Sequence, residues 1–219
     1  MADRTQFLDN VHHSTRTGRY KPTRAPDSVW TPKGTPAPAP IEDPVSRFLE
    51  ELGGVGGHGV RVENLGEAHD YVVSLVRERG AESLVRWDDA ELESFDAPLA
   101  EAGLEVTVWR DLEDFRAVTS RADVGLSTAS WAIAETGSLV LESGHGKGRS
   151  VTLLPPTYVA VLRAARILGT LPEAISKYAG GRLPSNVCFH TGPSRSGDIE
   201  MSLVTGMHGP GDVHVVVVG

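Results

Sequence analysis

The sequence predicts an α/β fold: a mainly parallel sheet flanked by helices, with a strand-rich second half. Two patterns carry this expectation. From residue 43 to about 118, short apolar runs alternate with amphipathic stretches, the signature of strand–helix–strand crossovers. From residue 123 onward the apolar runs are short, separated by Gly or Pro, and end in Val213–Val218, apolar except for His214, which suits a strand buried on both faces.

In order, Asp43 can cap a helix that has Pro44 at its first position and Phe48, Leu49 and Leu52 on its apolar face, with Gly53-Gly54 ending it. A strand over Gly59–Val62 follows, then a helix over Glu67–Arg79 with Ala68, Tyr71, Val72, Leu75 and Val76 at three-to-four spacing. Ser83–Trp87 reads as a strand, Asp89–Ala102 as a helix, Leu104–Trp109 as a strand and Leu112–Val118 as a short helix. The second half offers strands at Asp123–Thr128, Trp131–Ala134, Ser138–Glu142, Val151–Leu154 and Tyr158–Leu162. A helix follows from Leu171 to about Tyr178, a strand at Asn186–His190, a helix at Asp198–Val204 and the final strand. The organisation expected is one α/β domain over residues 43–219 preceded by an arm, residues 1–42. His12–Pro44 holds seven of the 14 prolines, too many for a regular core, so the arm reads as extended. Phe7, Leu8, Val29 and Trp30 could dock it on the body or on a neighbouring subunit, giving a homo-oligomer; a free tail is the other reading.

Composition narrows the function. A net charge of -8 argues against nucleic acid as the main partner. No apolar run is long enough for a spanning helix, and MADRTQFLDN lacks the apolar core of a secretory signal, so a cytoplasmic location is expected. The single cysteine, Cys188, rules out an internal disulfide and a cysteine-held iron–sulfur cluster from this chain alone. No HExxH, no metal-spaced histidine cluster and no G-x-S-x-G elbow is present, so no metal site is expected.

Four glycine-rich segments remain. GVGGHG (Gly54–Gly59) has dinucleotide-loop spacing but follows a helix and enters a strand, the reverse of the required order. SGHGKGRS (Ser143–Ser150) lacks the Ser or Thr after Gly-Lys that a phosphate loop needs; its His145, Lys147 and Arg149 make it either a place to meet an anion or a solvated turn. In AETGSLVLES, Thr136 and Ser138 offer hydroxyls and amides to a substrate or anion that Gly137 lets approach closely, and Glu135 before them could act as general base or nucleophile or could hold the loop through backbone N–H groups. Finally Gly192, Ser194, Arg195, Ser196 and Gly197 precede the helix expected at Asp198. Unpaired N–H groups and a guanidinium there would form an anion-binding loop, with Asp198 and Glu200 able to neutralise it. His208, in the turn before the last strand, returns toward the same loop.

The segments DVGLSTASWAIAETGSLVLE (123–142), LLPPTYVAVL (153–162), GPSRSGDIE and GMHGPG resemble the LUD domain family, over about residues 45–219, and within it the lactate-utilisation members. The resemblance implies a fold like that of the NagB/RpiA/CoA-transferase group and a part in oxidising L-lactate to pyruvate. It also implies two partner subunits that carry the iron–sulfur centres, with no cofactor bound by this chain alone. On that footing the chain is an accessory subunit, without its own redox centre, that binds a small carboxylate or a partner. Arg195 and the amides of Ser194, Ser196 and Gly197 would hold the carboxylate, and Glu135 and His208 would handle protons. The alternatives are a stand-alone transferase or ligase with Glu135 as nucleophile on an acyl or phosphorylated substrate, and a pure interaction protein that uses its arm.

Overall fold

The computed structural model describes residues 4–6, 8–9, 13, 40–111, 114–179, 183–196 and 204–219. The chain divides into two units, Met1–Ala39 and Pro40–Gly219. In the first, the described residues are helical where the sequence suggested an extended arm; Phe7, Val29 and Trp30 lie outside the described residues.

The elements of the second unit run α1 (Pro44–Gly54), β1 (His58–Val62), α2 (Leu65–Arg79), β2 (Ser83–Arg86), a 3₁₀ turn (Ala90–Phe95) and α3 (Asp96–Glu101). Next come β3 (Glu105–Val108), α4 (Phe115–Arg121), β4 (Val124–Thr128), β5 (Trp131–Ile133), β6 (Ser138–Ser143) and α5 (Ser150–Leu153). The chain ends with β7 (Thr157–Arg163), β8 (Ile167–Leu168), α6 (Leu171–Ser176), β9 (Asn186–His190), β10 (Arg195–Ser196), β11 (Val204–Thr205) and β12 (Asp212–Val218). Local chemistry sets the helix starts. Asp43 caps α1, its carboxylate accepting the Ser46 N–H (3.1 Å) and hydroxyl (2.6 Å), with Pro44 in the first turn. Asn64 caps α2 in the same way by accepting the Glu67 N–H at 3.1 Å.

Six strands form a parallel sheet in the order β1-β12-β7-β4-β2-β3. The middle strands β4, β7 and β12 are buried almost throughout, which explains why β12 is a nearly unbroken valine run. A smaller sheet, β8-β5-β6-β9, pairs β6 antiparallel with both neighbours and grows from the carboxyl ends of β4 and β7. No helix among the described residues is long and apolar enough to cross a membrane.

Two expected elements are different. Val151–Leu154 is not a strand: Ser150–Leu153 forms the short helix α5, stopped by Pro155-Pro156. A four-residue apolar run cannot be assigned by periodicity alone, and here packing decides. The Val151 carbonyl presses on β4 at Gly125, where a side chain would collide with it. The helix expected over Asp198–Val204 does not end in a helix either, since Val204-Thr205 pairs antiparallel with Arg195-Ser196; its other residues lie outside the described ones.

The strand entrances are tied by Asp123, just before β4. Its carboxylate accepts the backbone N–H groups of Glu82 (3.0 Å) and Ser83 (2.9 Å) and the Ser83 hydroxyl (2.8 Å), joining β4 to the start of β2. Burial works to raise this carboxyl, but the three hydrogen bonds outweigh it and hold the group below the usual carboxylate range. Asp123→Ala is expected to cost about 1–2 kcal/mol in a urea titration at neutral pH. Because the folded value is depressed, the bonus is complete above about pH 4 and disappears as pH falls through that folded value. The gap between wild type and variant should therefore close in acid; a gap that persists there would assign the loss to packing.

Candidate functional site

The residues singled out in the sequence fall into two groups, each already engaged. Glu135 follows β5 and accepts the Leu171 N–H at 2.6 Å, so its carboxylate satisfies the first turn of α6. Thr136, Ser138 and Thr191 form a hydroxyl chain, Thr136 Oγ1 to Ser138 Oγ at 2.8 Å and Ser138 Oγ to Thr191 Oγ1 at 2.7 Å. Gly137 (φ 63°) lies against the Glu51-Leu52 backbone of α1 and Gly192 (φ 66°) against Val55; neither site has room for a Cβ, and both conformations favour glycine.

The Ser194–His208 turn is likewise internally bonded. The Ser194 N–H donates to the Pro210 carbonyl (2.9 Å), its carbonyl accepts the Gly206 N–H (2.9 Å), and its hydroxyl accepts the His208 N–H (3.3 Å). The Ser194 amide is therefore not a donor waiting for an anion. Ser196 is buried in the β10–β11 ladder, Gly197 lies outside the described residues, and the His208 side chain is exposed. Arg195 donates to the Val55 carbonyl at 2.6 Å, satisfying the exposed carboxyl end of α1. This loop follows the antiparallel strand β9, not a strand of the parallel sheet, and sits at the amino ends of β7 and β12, where Pro156 and Pro210 accept its N–H groups and those of its neighbours.

The carboxyl ends lead elsewhere. Strand order reverses between β2 and β4, since β3 lies outside β2 while β4, β7 and β12 follow on the other side. Crevices at such a reversal are where open α/β sheets hold ligands. Here β2 continues into Trp87, Asp88 and Asp89, and β4 ends at Thr128. Asp89 accepts the Thr128 hydroxyl at 2.8 Å and pairs with Lys147 at 2.8 Å. Burial tends to raise its carboxyl, yet the hydrogen bonds from Lys147, Thr128 and the Glu91 N–H prevail and keep it ionised. Lys147 also stands 5.6 Å from the centre of the Trp87 ring, and the Trp87 Nε1–H donates to the Gly148 carbonyl at 2.9 Å. The glycine-rich segment Ser143–Ser150 is thereby folded over the end of β2.

This fold-over delivers Arg149 to the wall between two cavities. One, ≈ 350 Å³, is lined by Trp87, Thr152, Leu153, Asn186 and Cys188 among others; the second, ≈ 530 Å³, by Trp109, Phe115, Ser150 and Leu154; Arg149 borders both. Arg149 is exposed, and its guanidinium has no hydrogen-bond or ion-pair partner among the described residues. Asn186, in the wall of the first cavity, and Ser150, in that of the second, each hold a buried side-chain oxygen without a hydrogen bond. A buried polar atom left unpaired is costly, so each cavity presents an unmet polar demand beside a guanidinium. Burial pushes the Cys188 thiol up, against the pull of Arg149, so it stays protonated near neutral pH and serves as cavity wall. The basic turn was visible in the sequence; Asn186, Cys188 and the Asp89 brace were not, because nothing local marks residues that only the tertiary fold brings to one crevice.

A relative named Lactate utilization protein C from Halalkalibacterium halodurans is 31% identical over 215 residues, covering 94% of each chain. One of the same name from Shouchella clausii is 32% identical over 221 residues, covering 95% of this chain and 94% of that one. The crystal structure of a DUF162 family protein from Deinococcus radiodurans shares the fold, with TM-score 0.59 and 21% identity, over 82% of this chain and all of the other. The LUD domain model matches residues 45–218, nearly the whole second unit, and the chain therefore belongs to the LUD domain family.

Proposed function

We propose that the chain is a non-redox component of a system that oxidises L-lactate to pyruvate, and that it binds a small hydroxy acid at Arg149. The name carried by its relatives supports a role in lactate utilisation. With one cysteine, the chain lacks the thiolates for an iron–sulfur cluster of its own, so electrons would pass through iron–sulfur partner subunits. The single observation behind the site is the unpartnered Arg149 guanidinium sharing a cavity with the unsatisfied Asn186 Oδ1. A guanidinium fork matches a carboxylate, and a carbonyl oxygen matches a hydroxyl donor; a 2-hydroxy carboxylate presents both. Arg195, already bonded to Val55, is the weaker receptor.

Calorimetric titration of L-lactate into wild type, Arg149→Ala and Arg195→Ala separates the two. Loss of one charge-assisted contact, about 1.5–3 kcal/mol, should weaken binding roughly tenfold or more in Arg149→Ala and leave Arg195→Ala close to wild type. Equal affinity in wild type and Arg149→Ala would remove Arg149 from the site. A loss confined to Arg195→Ala would return the carboxylate to the Ser194–His208 turn.

A further inference from the structure

The parallel pairing of β1 with β12 places His58 opposite His214, and Asp212 stands two residues before His214 on the same strand. This happens at the amino ends of the strands, away from the Arg149 cavities. The imidazole rings of His58 and His214 stack with centres 4.8 Å apart. Asp212 Oδ1 lies 2.9 Å from His214 Nε2 and 3.6 Å from His58 Nε2. No motif announces this group, because its members come from opposite ends of the chain; the expectation of no metal site rested on spacing along the sequence.

One atom makes the arrangement more than a polar cluster. His214 is 4% exposed, and its Nε2, 2.9 Å from the carboxylate, has no hydrogen-bond partner. Its other nitrogen, Nδ1, is 2.8 Å from the Tyr71 hydroxyl. With Nδ1–H donating to the tyrosine oxygen, Nε2 keeps an unused lone pair beside a carboxylate oxygen, and a cation shared by the two would use both. The surroundings also fit. Metal-bound histidines commonly donate their second nitrogen to an oxygen, and metal-bound carboxylates are themselves hydrogen-bonded. Tyr71 supplies the first of these and Arg79 the second, its Nε donating to Asp212 Oδ2 at 2.9 Å and leaving Oδ1 for the ion.

We propose that His58, Asp212 and His214 form a binding site for a divalent transition ion of the zinc type. The donor set, two imidazoles and one carboxylate, suits zinc; Mg²⁺ and Ca²⁺ prefer oxygen shells, and Arg79 offsets the one negative charge that would draw them. Three protein ligands leave a fourth position open to water or an anion. The three ligand atoms lie within 4.8 Å of one another, whereas ligand atoms around a tetrahedral zinc are roughly 3.3 Å apart. The site therefore closes on the ion by a small swing of His58, whose side chain is 58% exposed and able to move.

The test uses the full chain without a polyhistidine tag, stripped with chelator, and titrates Zn²⁺ against a chromophoric competitor and Co²⁺ by visible absorption. Wild type should bind one equivalent of Zn²⁺, show tetrahedral Co²⁺ bands and melt at a higher temperature with Zn²⁺ but not with Mg²⁺. His58→Ala, an exposed substitution that spares the core, should lose at least tenfold in Zn²⁺ affinity, and Tyr71→Phe about tenfold through its effect on His214. His145→Ala, elsewhere on the surface, should bind as wild type does. No stoichiometric Zn²⁺ in the wild type, unchanged affinity in His58→Ala, or an equal loss in His145→Ala would each overturn the proposal. These readouts do not depend on lactate binding, so they stand or fall separately from the function proposed above.

Discussion

Gly125→Ala is expected to destabilise the protein by about 3 kcal/mol, the upper part of the range for overpacking a core. Gly125 is the second residue of β4, buried between β2 and β7, with the Val151 carbonyl of α5 directly over its Cα. A methyl group there meets backbone rather than the tip of a flexible side chain, with the Pro155 ring also within 3.2 Å, so no rotamer change relieves the contact. For a chain of this size the loss corresponds to a melting temperature lowered by roughly 6–12 °C. A drop below about 1 kcal/mol would show that α5 slides on β4 at little cost. In that case the placement of Arg149, the residue just before α5, would be looser than its contacts imply.

Asp96→Ala should cost nearly as much, for an electrostatic reason. Arg86, the last residue of β2, has a side chain only 4% exposed and donates two hydrogen bonds of 2.6 Å to the two oxygens of Asp96, while its third nitrogen donates to the Trp87 carbonyl at 3.0 Å. Removing the carboxylate strands a guanidinium in the core. Breaking such buried pairs costs 3–5 kcal/mol in general, and since Asp96 is 40% exposed the lower end, about 3 kcal/mol, is expected. A urea midpoint shifted with unchanged slope is the measurement. The double variant Arg86→Met/Asp96→Ala should recover much of the loss, because no buried charge then lacks a partner. Failure to recover would trace the cost to α3, whose first turn Asp96 also serves.

These two sites show what could and could not be read before the fold was known. The start of α1 was legible because Asp43 and Pro44 act within a few residues, and so was the parallel sheet, because burial on both faces leaves continuous apolar strands. Val151–Leu154 reads as a strand in isolation and folds as a helix because its conformation depends on a glycine in another strand. The candidate site divides along the same line. The basic turn with Lys147 and Arg149 was visible as composition, but its cavity needs Trp87 and Asn186, far apart in the chain. Glu135 and Arg195 were visible too, yet their backbone partners, Leu171 N–H and Val55 C=O, leave no trace in the sequence. Hydrogen bonds to main chain carry no residue code.

The pinning of the Ser143–Ser150 segment bears on how ligands would be received. Gly148 is tethered to the Trp87 indole on one side of Arg149, and on the other α5 is wedged against β4, so the arginine backbone is held at both flanks while its side chain stays loose. An incoming anion would have to still only one side chain rather than order a whole loop, a modest entropic toll of about 0.5–1.5 kcal/mol. Softening either flank should therefore show first as faster ligand escape, with the folded baseline still intact.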